Sequence, residues 1–424
     1  MNAQEVKKKM MGLWDNVFHD SKDYVSLIFD NYFNEKYIEY REHEGKIVSA
    51  LLGVPYEFGS GAHRLKGLYL CGLATNESFR QKGLMTELLY NINHRCKEEF
   101  DFTFLIPSSD LMADFYHRHG YFNSFYRVEE RYTSVHDFKN EFYVSLFDSD
   151  QRIVELKMKL FDEIKVSQFY FGSEEEEKNI IEFIKLRERK TTNIVNLFHS
   201  EKDLRVALRE NEISGGAIFV SRDSTDAITG VAFTVKEEMK RIKIPMMFVS
   251  DTCSYFAILN QVKKAFPDYS ISIYKNTGST EPAAIADRTF GAANPDGGDL
   301  ETLFGLIERP FNSWQNMRPY GMVKFLRYPS ILKFLTLTNR DISFKLFLKD
   351  LDDPDEEDRK VIFVVNRGKM EVKTFDENYK EGNLLRLTTN ELSELLCRKR
   401  DSNNLIMEAF GIPRLVLKMA LMLD

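Results

Sequence analysis

The pattern of apolar and polar positions divides the chain into short strands and helices. Val25, Ile28, Phe29 and Phe33 are spaced for one helical face, which predicts a helix over 25–33. Apolar runs on either side of Glu44-Gly45 predict a strand pair. The same reasoning predicts the other elements of this region: strands at 37–42, 47–56, 65–75 and 102–106, one or two strands at 122–134, and a short helix at 111–119 closed by Gly120.

A basic loop joins the strand at 65–75 to a further helix. The loop ends in Arg80-Gln81-Lys82-Gly83, and apolar residues then recur at helical spacing over 84–96. The first N–H groups of a helix lack partners and the helix dipole is positive there, so a pyrophosphate can bind. Gly83 allows close approach of the backbone. The alternative is an ordinary strand-to-helix turn with solvated basic residues.

The loop resembles the cofactor motif of the GNAT acetyltransferases, Arg/Gln-x-x-Gly-x-Gly/Ala, and departs from it at Met85. The stretch Phe115–Tyr121 resembles the helix-end signature Phe-Tyr-x-x-x-Gly-Phe of that family. Ser109 precedes Tyr116 by seven residues, where GNAT proteins often have Asn. The resemblance implies a GNAT fold for the N-terminal domain.

The whole chain is similar in layout to the enhanced intracellular survival (Eis) acetyltransferases. The resemblance implies an α+β (mixed α/β) fold of three domains: a catalytic GNAT domain at 1–145, a degenerate GNAT-like domain at 146–312 and a sterol-carrier-protein-like domain at 313–424. It is specific in the first domain and architectural in the other two. The homo-oligomer it implies is a hexamer.

The second predicted domain repeats the element order of the first. A hairpin at 216–221 and 228–235 precedes a strand at 246–250, a helix at 255–266 and a strand at 270–274. Only Asp251-Thr252-Cys253-Ser254 separates the strand from the helix, and this stretch contains no Arg-x-x-Gly loop. We therefore expect no coenzyme A site here. Ser173-Glu174-Glu175-Glu176 predicts a capping box at a helix start, with a cation site as the alternative.

The third predicted domain follows turn residues at 294–299 and Trp314. Its pattern predicts a helix at 331–337, a strand over 342–348, a charged loop at 350–360, a strand pair at 361–365 and 371–375, and a helix capped by Thr388-x-x-Glu391 that carries Leu392, Leu395 and Leu396. This order is compatible with a sterol-carrier-like fold, but the fold alone does not imply lipid binding.

Composition narrows the class of protein. Apolar residues make up 43% and charged residues 29% of the 424 residues, which is ordinary for a globular protein. The net charge of −7 argues against nucleic acid and favours cationic partners. The four Cys residues form no CxxC pair, so we expect buried thiols and no metal. Residues 1–11 lack a signal-peptide core, and no uncharged apolar run reaches the ~18 residues of a membrane span, so we expect a cytoplasmic protein.

The chemistry implied by the resemblance is transfer of acetyl from acetyl coenzyme A, as cosubstrate, to a primary amine. A main-chain N–H at the end of the cofactor strand would bind the carbonyl oxygen, and the same backbone would pair with the pantetheine arm. The implied cofactor residues are Leu73, Ala74, Thr75, Arg80, Gln81, Lys82, Gly83, Leu84, Met85 and Ser109.

Tyr116 is the implied catalytic acid, because a phenol can protonate the leaving thiolate. The alternative is an aromatic residue that only packs, the role assigned to Tyr121 and Tyr126. The implied base is the C-terminal carboxylate of Asp424, although family members often end in an aromatic residue. A frayed terminus is the alternative.

His117 and His119 are two positions apart and so do not share a helical face, which argues against a metal pair. A water-relayed histidine base stays an alternative. The amine would belong to a polyamine, an aminoglycoside-like molecule or a lysine. Two rival functions are a non-catalytic lipid- or ligand-binding protein and a tandem-GNAT aminoacyl transferase, and the intact loop argues against the second.

Overall fold

The computed structural model describes residues 2–146, 150–190, 195–276, 318–332, 342–349, 359–366, 369–374, 384–397 and 417–419. The chain is a mixed α/β protein that falls into two compact units. Unit 1 comprises Met1–Tyr126, Thr191–Phe198 and Pro319–Lys418, and unit 2 comprises Arg127–Lys190, His199–Arg318 and Met419–Asp424. The predicted boundaries at 145 and 312 stay a prediction.

The N-terminal part of unit 1 alternates helices with antiparallel and parallel strands. Its elements are α1 (Ala3–Phe18), α2 (Lys22–Tyr32), β1 (Ile38–His43), β2 (Lys46–Ser60), β3 (His63–Thr75), α3 (Leu84–Cys96), β4 (Phe102–Leu105), α4 (Asp110–His117) and β5 (Phe122–Tyr132), which continues into unit 2. Each predicted element is present here, and β2 and β3 extend beyond their predicted ends. Helix α1 was not predicted.

The other described elements of unit 1 come from distant parts of the sequence. They are β7 (Val195–Phe198), β12 (Arg318–Phe325), α10 (Tyr328–Leu332), β13 (Ile342–Lys349), β14 (Arg359–Asn366), β15 (Lys369–Thr374), β16 (Leu384–Thr388), α11 (Thr389–Cys397) and β17 (Leu417–Lys418). The predicted strands over 342–348 and 361–365 are confirmed, and the strand predicted at 371–375 is confirmed over its described part, which ends at Thr374. The predicted turn at 294–299, Trp314 and Asp424 lie outside the described residues.

One sheet of unit 1 has the order β17-β7-β2-β3-β4-β12, with β1 also paired to β2. The β3–β4 pair is parallel, and β12 is antiparallel to β4 from Met322 to Phe325. A second sheet has the order β15-β14-β13-β16. The capping box predicted at α11 is confirmed, since the Thr388 hydroxyl accepts from the Glu391 N–H and the Glu391 carboxylate accepts from the Thr388 N–H.

The core of unit 1 places α3 and α4 against the sheet. Leu51, Leu68 and Leu70 face this core from β2 and β3, while Leu88 and Ile92 enter it from α3. Strand residues at alternate positions point to opposite faces, and a cluster of aromatic rings that includes Phe58, Phe102 and Phe104 packs separately. Helices α3 and α4 therefore pack against one face of the sheet.

Unit 2 is built on the strand order β5-β11-β10-β9-β8-β6. Its elements beyond β5 are α5 (Phe138–Val144), α6 (Gln151–Glu163), β6 (Lys165–Phe169), α7 (Glu174–Lys190), α8 (Glu201–Ile213), β8 (Ala217–Arg222), β9 (Ile228–Glu237), β10 (Arg241–Val249), α9 (Thr252–Ala265) and β11 (Ser270–Asn276). The predicted hairpin is confirmed as β8–β9. Helices α5, α6 and α8 and strands β6 and β7 were not predicted.

Alternation along the strands of unit 2 produces two cores. Phe219 and Ala232 belong to the core that includes α9, whereas Val220 and Val231 belong to the core that includes α7 and α8. This is the period-2 pattern of a sheet covered on both faces. The capping box predicted at Ser173 is half correct: its hydroxyl accepts from the Glu176 N–H, but the Glu176 carboxylate binds Arg222.

All four Cys residues are free thiols; three of them are buried, as predicted, and Cys71 is only partly buried. Within the residues that the structure describes, no helix combines the length and the apolar character needed to cross a membrane.

Candidate functional site

The start of helix α3 has no side-chain cap. Gly83 occupies the N-cap position in the left-handed region, with φ 76° and ψ 1°, and no side chain bonds the first helical N–H groups. Side-chain oxygens cap the starts of other described helices, namely Asn2, Ser21, Ser109, Asp137, Asp150, Ser173, Ser200, Asp251 and Thr388. Helix α3 therefore presents its unpaired N–H groups and positive dipole end to an outside anion.

Space is open in front of these groups. A Cβ built on Gly83 would meet nothing within 4 Å. Residues Gln81, Lys82 and Gly83 are exposed, and Gln81 is also in the left-handed region at φ 61°. The loop thus places backbone N–H groups and no bulky side chain where a diphosphate would bind.

The two basic side chains of the loop each contact a neighbouring residue. Arg80 Nε donates to the Thr75 carbonyl at 3.2 Å, which ties the loop to the end of β3. Lys82 Nζ lies 4.6 Å from the centroid of the Phe79 ring. Both residues are exposed, so their charges are available to an anion at the start of α3.

Strand β3 is bulged where the cofactor strand was predicted to end. The β2–β3 register shifts between Ala50 and Leu52, and Gly72 opposite this shift has φ 57°. A Cβ on Gly72 would lie 2.1 Å from the Trp14 ring, so only glycine fits there. Bulges redirect a strand and are frequent beside active sites. An isolated Gly inside a strand pattern is the sequence signal that indicates such a bulge.

The described β3–β4 pairing covers only Gly67–Tyr69 of β3, while the strand continues to Thr75. Leu73, Ala74 and Thr75 therefore lie beyond the paired segment. On the β2 side, the Ser49 hydroxyl donates to the Ala74 carbonyl at 3.3 Å and lies 2.9 Å from the Thr75 hydroxyl. This strand end is fixed from one side, and its other edge extends past β4, as addition of an extended ligand arm requires.

Tyr116 lies on α4 and its side chain is buried, with 7% exposed. Its ring contacts Phe115 and Tyr121, with centroid distances of 5.3 Å and 6.0 Å. Burial, with a smaller contribution from Tyr121, raises the pKa of Tyr116 well above its usual value. The phenol is therefore protonated at neutral pH, as a free phenol also is, and it is a weaker acid than a free phenol.

Tyr121 has a different environment. It is fully buried, and its hydroxyl lies within hydrogen-bond distance of Asn93 and Thr103, at 3.2 Å and 3.0 Å. This network connects α3, β4 and the start of β5, and no sequence signal indicated it. The Tyr126 hydroxyl donates to the Asn123 carbonyl at 3.3 Å.

The other predicted residues lie on α3, on α4 and at the two ends of α4. Ser109 is the N-cap of α4 and accepts from the Met112 N–H at 3.3 Å. Met85 is half-buried and packs against the core of unit 1. His117 contacts Phe122, whereas His119 contacts Phe115 and Thr86. Across the described part of the chain, no group of three or more His, Cys, Asp or Glu side chains is arranged to hold a metal ion.

Part of the chain matches a known domain family, and nearly the whole chain is similar to several solved structures. Residues 3–122 match the family model of an acetyltransferase (GNAT) domain. The chain is similar to a solved probable N-acyltransferase from Enterococcus faecalis V583, at 12% identity and a TM-score of 0.65, over 99% of this chain and 96% of that one. It is also similar to a GCN5-related N-acetyltransferase from Kribbella flavida, at 12% identity and a TM-score of 0.61, over 97% and 91% of the two chains.

A further similar structure is Eis1 from Mycobacterium abscessus, at 9% identity and a TM-score of 0.58, over 97% of this chain and 92% of that one. At these identities the structures establish the fold, which is GNAT-like and consistent with tandem GNAT-like domains. No curated protein matches the chain. The domain match supports acyl transfer as the general reaction.

Proposed function

We propose that this protein is an N-acetyltransferase that uses acetyl coenzyme A and transfers the acetyl group directly to a primary amine in a ternary complex. The observation that carries the proposal is the uncapped start of α3 behind the Arg80–Gly83 loop, in the same unit as the bulged end of β3 and the buried Tyr116. When bound, acetyl coenzyme A supplies an activated acetyl thioester.

The start of α3 fits the diphosphate of this cosubstrate. The N–H groups at the beginning of α3 would bind it, with Gly83 leaving room and with Arg80 and Lys82 adding positive charge. Gln81, Leu84 and Met85 would contribute through their backbone. The Ser109 hydroxyl accepts from the Met112 N–H as the cap of α4. In this proposal the same residue also binds the cosubstrate.

The end of β3 would bind the reacting acyl group. Leu73, Ala74 and Thr75 lie past the last residue that pairs with β4. A main-chain N–H of this segment would stabilise the negative charge that develops on the carbonyl oxygen. The bulge at Gly72 and the hydroxyl of Ser49 keep the segment in place.

Tyr116 would donate a proton to the leaving thiolate. Its hydroxyl is buried and protonated at physiological pH, so it would hydrogen-bond to the leaving sulfur and protonate it as negative charge develops there. The acceptor amine must be neutral to attack, and the C-terminal carboxylate of Asp424 is the base implied by the resemblance. Asp424 lies outside the described residues, so this role stays a prediction.

The acceptor is proposed to be a polyamine, an aminoglycoside-like molecule or a lysine, in keeping with the net charge of −7. The homo-oligomer, a hexamer by resemblance, is proposed with it, and sedimentation velocity tests that state. The competing function is a non-catalytic lipid- or ligand-binding protein. Thiol release from acetyl coenzyme A with a panel of these amines distinguishes the two.

The decisive experiment replaces the proposed acid. We expect Tyr116→Phe to lower kcat by ~10²–10⁴, because loss of a general acid has that effect. Tyr126→Phe is the matched control, since it removes a hydroxyl bonded to a neighbouring carbonyl in the same unit, and we expect it to keep activity. Full activity in Tyr116→Phe, or tight lipid binding without thiol release by the unaltered chain, would contradict the proposal.

A further inference from the structure

The turn after α4 fixes the backbone of Tyr116. The carbonyl of Tyr116 accepts from the N–H groups of His119 and Tyr121, at 2.9 Å and 3.1 Å. Gly120 between them has φ 80°, a left-handed conformation that favours glycine. The position of Tyr116 therefore depends on this turn.

Residues from later in the chain brace the same turn. Lys324 Nζ of β12 donates to the His119 carbonyl at 3.0 Å. A Cβ added to Gly120 would lie 3.0 Å from Asn390 Oδ1 and 3.3 Å from Lys324 Nζ. All these residues belong to unit 1, and they leave the turn little freedom to shift.

The imidazole of His119 connects this turn to helix α3. His119 Nε2 shares a hydrogen bond with Thr86 Oγ1 at 3.2 Å, and its ring centroid lies 4.6 Å from that of Phe115. Thr86 is in the first turn of α3, three residues after Gly83. One side chain thus bridges the helix start proposed to hold the diphosphate and the helix that carries the proposed acid.

We propose that His119 is a positioning residue for Tyr116. Through Thr86 it fixes the separation between the first turn of α3 and the phenol, so that a donor anchored on α3 meets the proton donor in the reactive geometry. This inference rests on the proposed function, because it requires Tyr116 to be the acid. Small misplacements of reacting groups are costly in rate, which gives the bridge its effect.

The test separates the hydrogen bond from the packing. His119→Phe keeps a ring against Phe115 and loses Nε2; Thr86→Val loses the hydroxyl and Thr86→Ser retains it. We expect kcat to fall about three- to tenfold in His119→Phe and Thr86→Val, as loss of a net hydrogen bond predicts, with unchanged affinity for coenzyme A. Thr86→Ser should keep the kcat of the unaltered enzyme, and the double variant should be no slower than either single one.

A second readout excludes a general structural role. In a Tyr116→Phe background, His119→Phe should cause no further loss of kcat, whereas a residue that only stabilises the fold would lower the rate in both backgrounds. His117→Phe, at the same helix end but against Phe122, should keep full kcat. If His119→Phe does not fold, the Thr86→Val and Thr86→Ser pair decides.

The outcomes keep the two proposals distinct. If Tyr116→Phe is slow while His119→Phe and Thr86→Val retain full kcat, the positioning role is wrong and the acid stands. If Tyr116→Phe itself retains full kcat, the proposed acid is wrong and the positioning role falls with it.

Discussion

The two units begin corresponding helices in opposite ways. In unit 1, α3 follows β3 after a loop that ends in Gly83, and no side chain caps it. In unit 2, α9 follows β10 after only Ser250 and Asp251. The Asp251 carboxylate accepts from the Ser254 N–H at 2.7 Å and from the hydroxyls of Ser250 and Ser254.

The difference shows how one helix start is available to an anion and another is closed. The Asp251 carboxylate neutralises the positive end of α9 and occupies the place that a phosphate would take. The stretch Ser250–Ser254 has no basic residue, whereas the loop before α3 has two. We therefore expect coenzyme A to bind at α3 and not at α9.

The largest expected effect comes from giving α3 the cap that α9 has. Gly83→Asp should lower kcat/KM for acetyl coenzyme A on the order of 10³-fold, because like charges ~4 Å apart near a protein surface repel by about 4 kcal/mol. Gly83→Asn is the control, since Asn has the same shape and also tolerates positive φ. Steady-state kinetics and calorimetric binding of coenzyme A measure both. Binding of coenzyme A by Gly83→Asp as tight as by the unaltered protein would contradict the anion site.

Unit 2 also contains a buried ion pair, whose charges contribute to the stability of the fold. His199 Nδ1 and Glu188 Oε1 are 2.5 Å apart, and the side chains are each 3% exposed. Burial acts to lower the pKa of His199, but the charge and hydrogen bond of Glu188 outweigh it, and the net pKa is raised above 6.5. His199→Gln should therefore lower the free energy of unfolding by about 3 kcal/mol at pH 6.

The pH dependence of this contribution has a definite sign. A raised pKa in the folded state stabilises fully below the unfolded value of 6.5, and the contribution is lost as pH rises through the folded value. Denaturant unfolding across a pH series should show stability declining above about pH 6.5, a decline that His199→Gln reduces. An unchanged slope in the variant would assign the decline to other groups.

Strands β3 and β10, which precede these two helices, differ in backbone shape. Gly72 in β3 has φ 57° against the Trp14 ring, whereas no residue of β10 has positive φ. Gly72→Ala should destabilise the protein by about 2–4 kcal/mol, from positive φ plus overpacking. Gly83→Ala is the matched control with positive φ but open space, so we expect about 1 kcal/mol. Thermal unfolding measures both, and equal losses would mean that the Trp14 contact contributes nothing.

Periodicity predicted α3, which buries one clear face with Leu88 and Ile92, and apolar runs bounded by turn residues predicted the hairpin β8–β9, which is buried on both faces. It missed α1 and α8, whose polar surfaces weaken the apolar signal, and the short strand β7. Which distant strand lies beside β4 was not predictable, because Met322–Phe325 pairs with it across more than two hundred residues.

The residues of the candidate site also divide into those that a local pattern predicts and those that only tertiary contacts bring together. Local motifs predicted Gly83 and Tyr116 as site residues, because a helix start and a helix-end signature are local in sequence. The bridge from His119 to Thr86 and the network of Asn93, Thr103 and Tyr121 depend on tertiary contacts. Such contacts join residues that no short pattern brings together.

The smallest expected effect concerns the charge on the loop before α3, which the start of α9 lacks. Lys82 is exposed and its Nζ lies against Phe79, so its attraction for a phosphate is screened by water and salt. Lys82→Met should raise KM for acetyl coenzyme A about three- to fivefold at low salt, in keeping with the ~0.2–1 kcal/mol of an exposed ion pair. The difference should shrink in high salt, and Lys82→Arg should preserve KM. A loss that is independent of salt would instead mean that the Lys82 side chain acts through its packing on Phe79, and the helix start with its free N–H groups would then account for binding without the added charge.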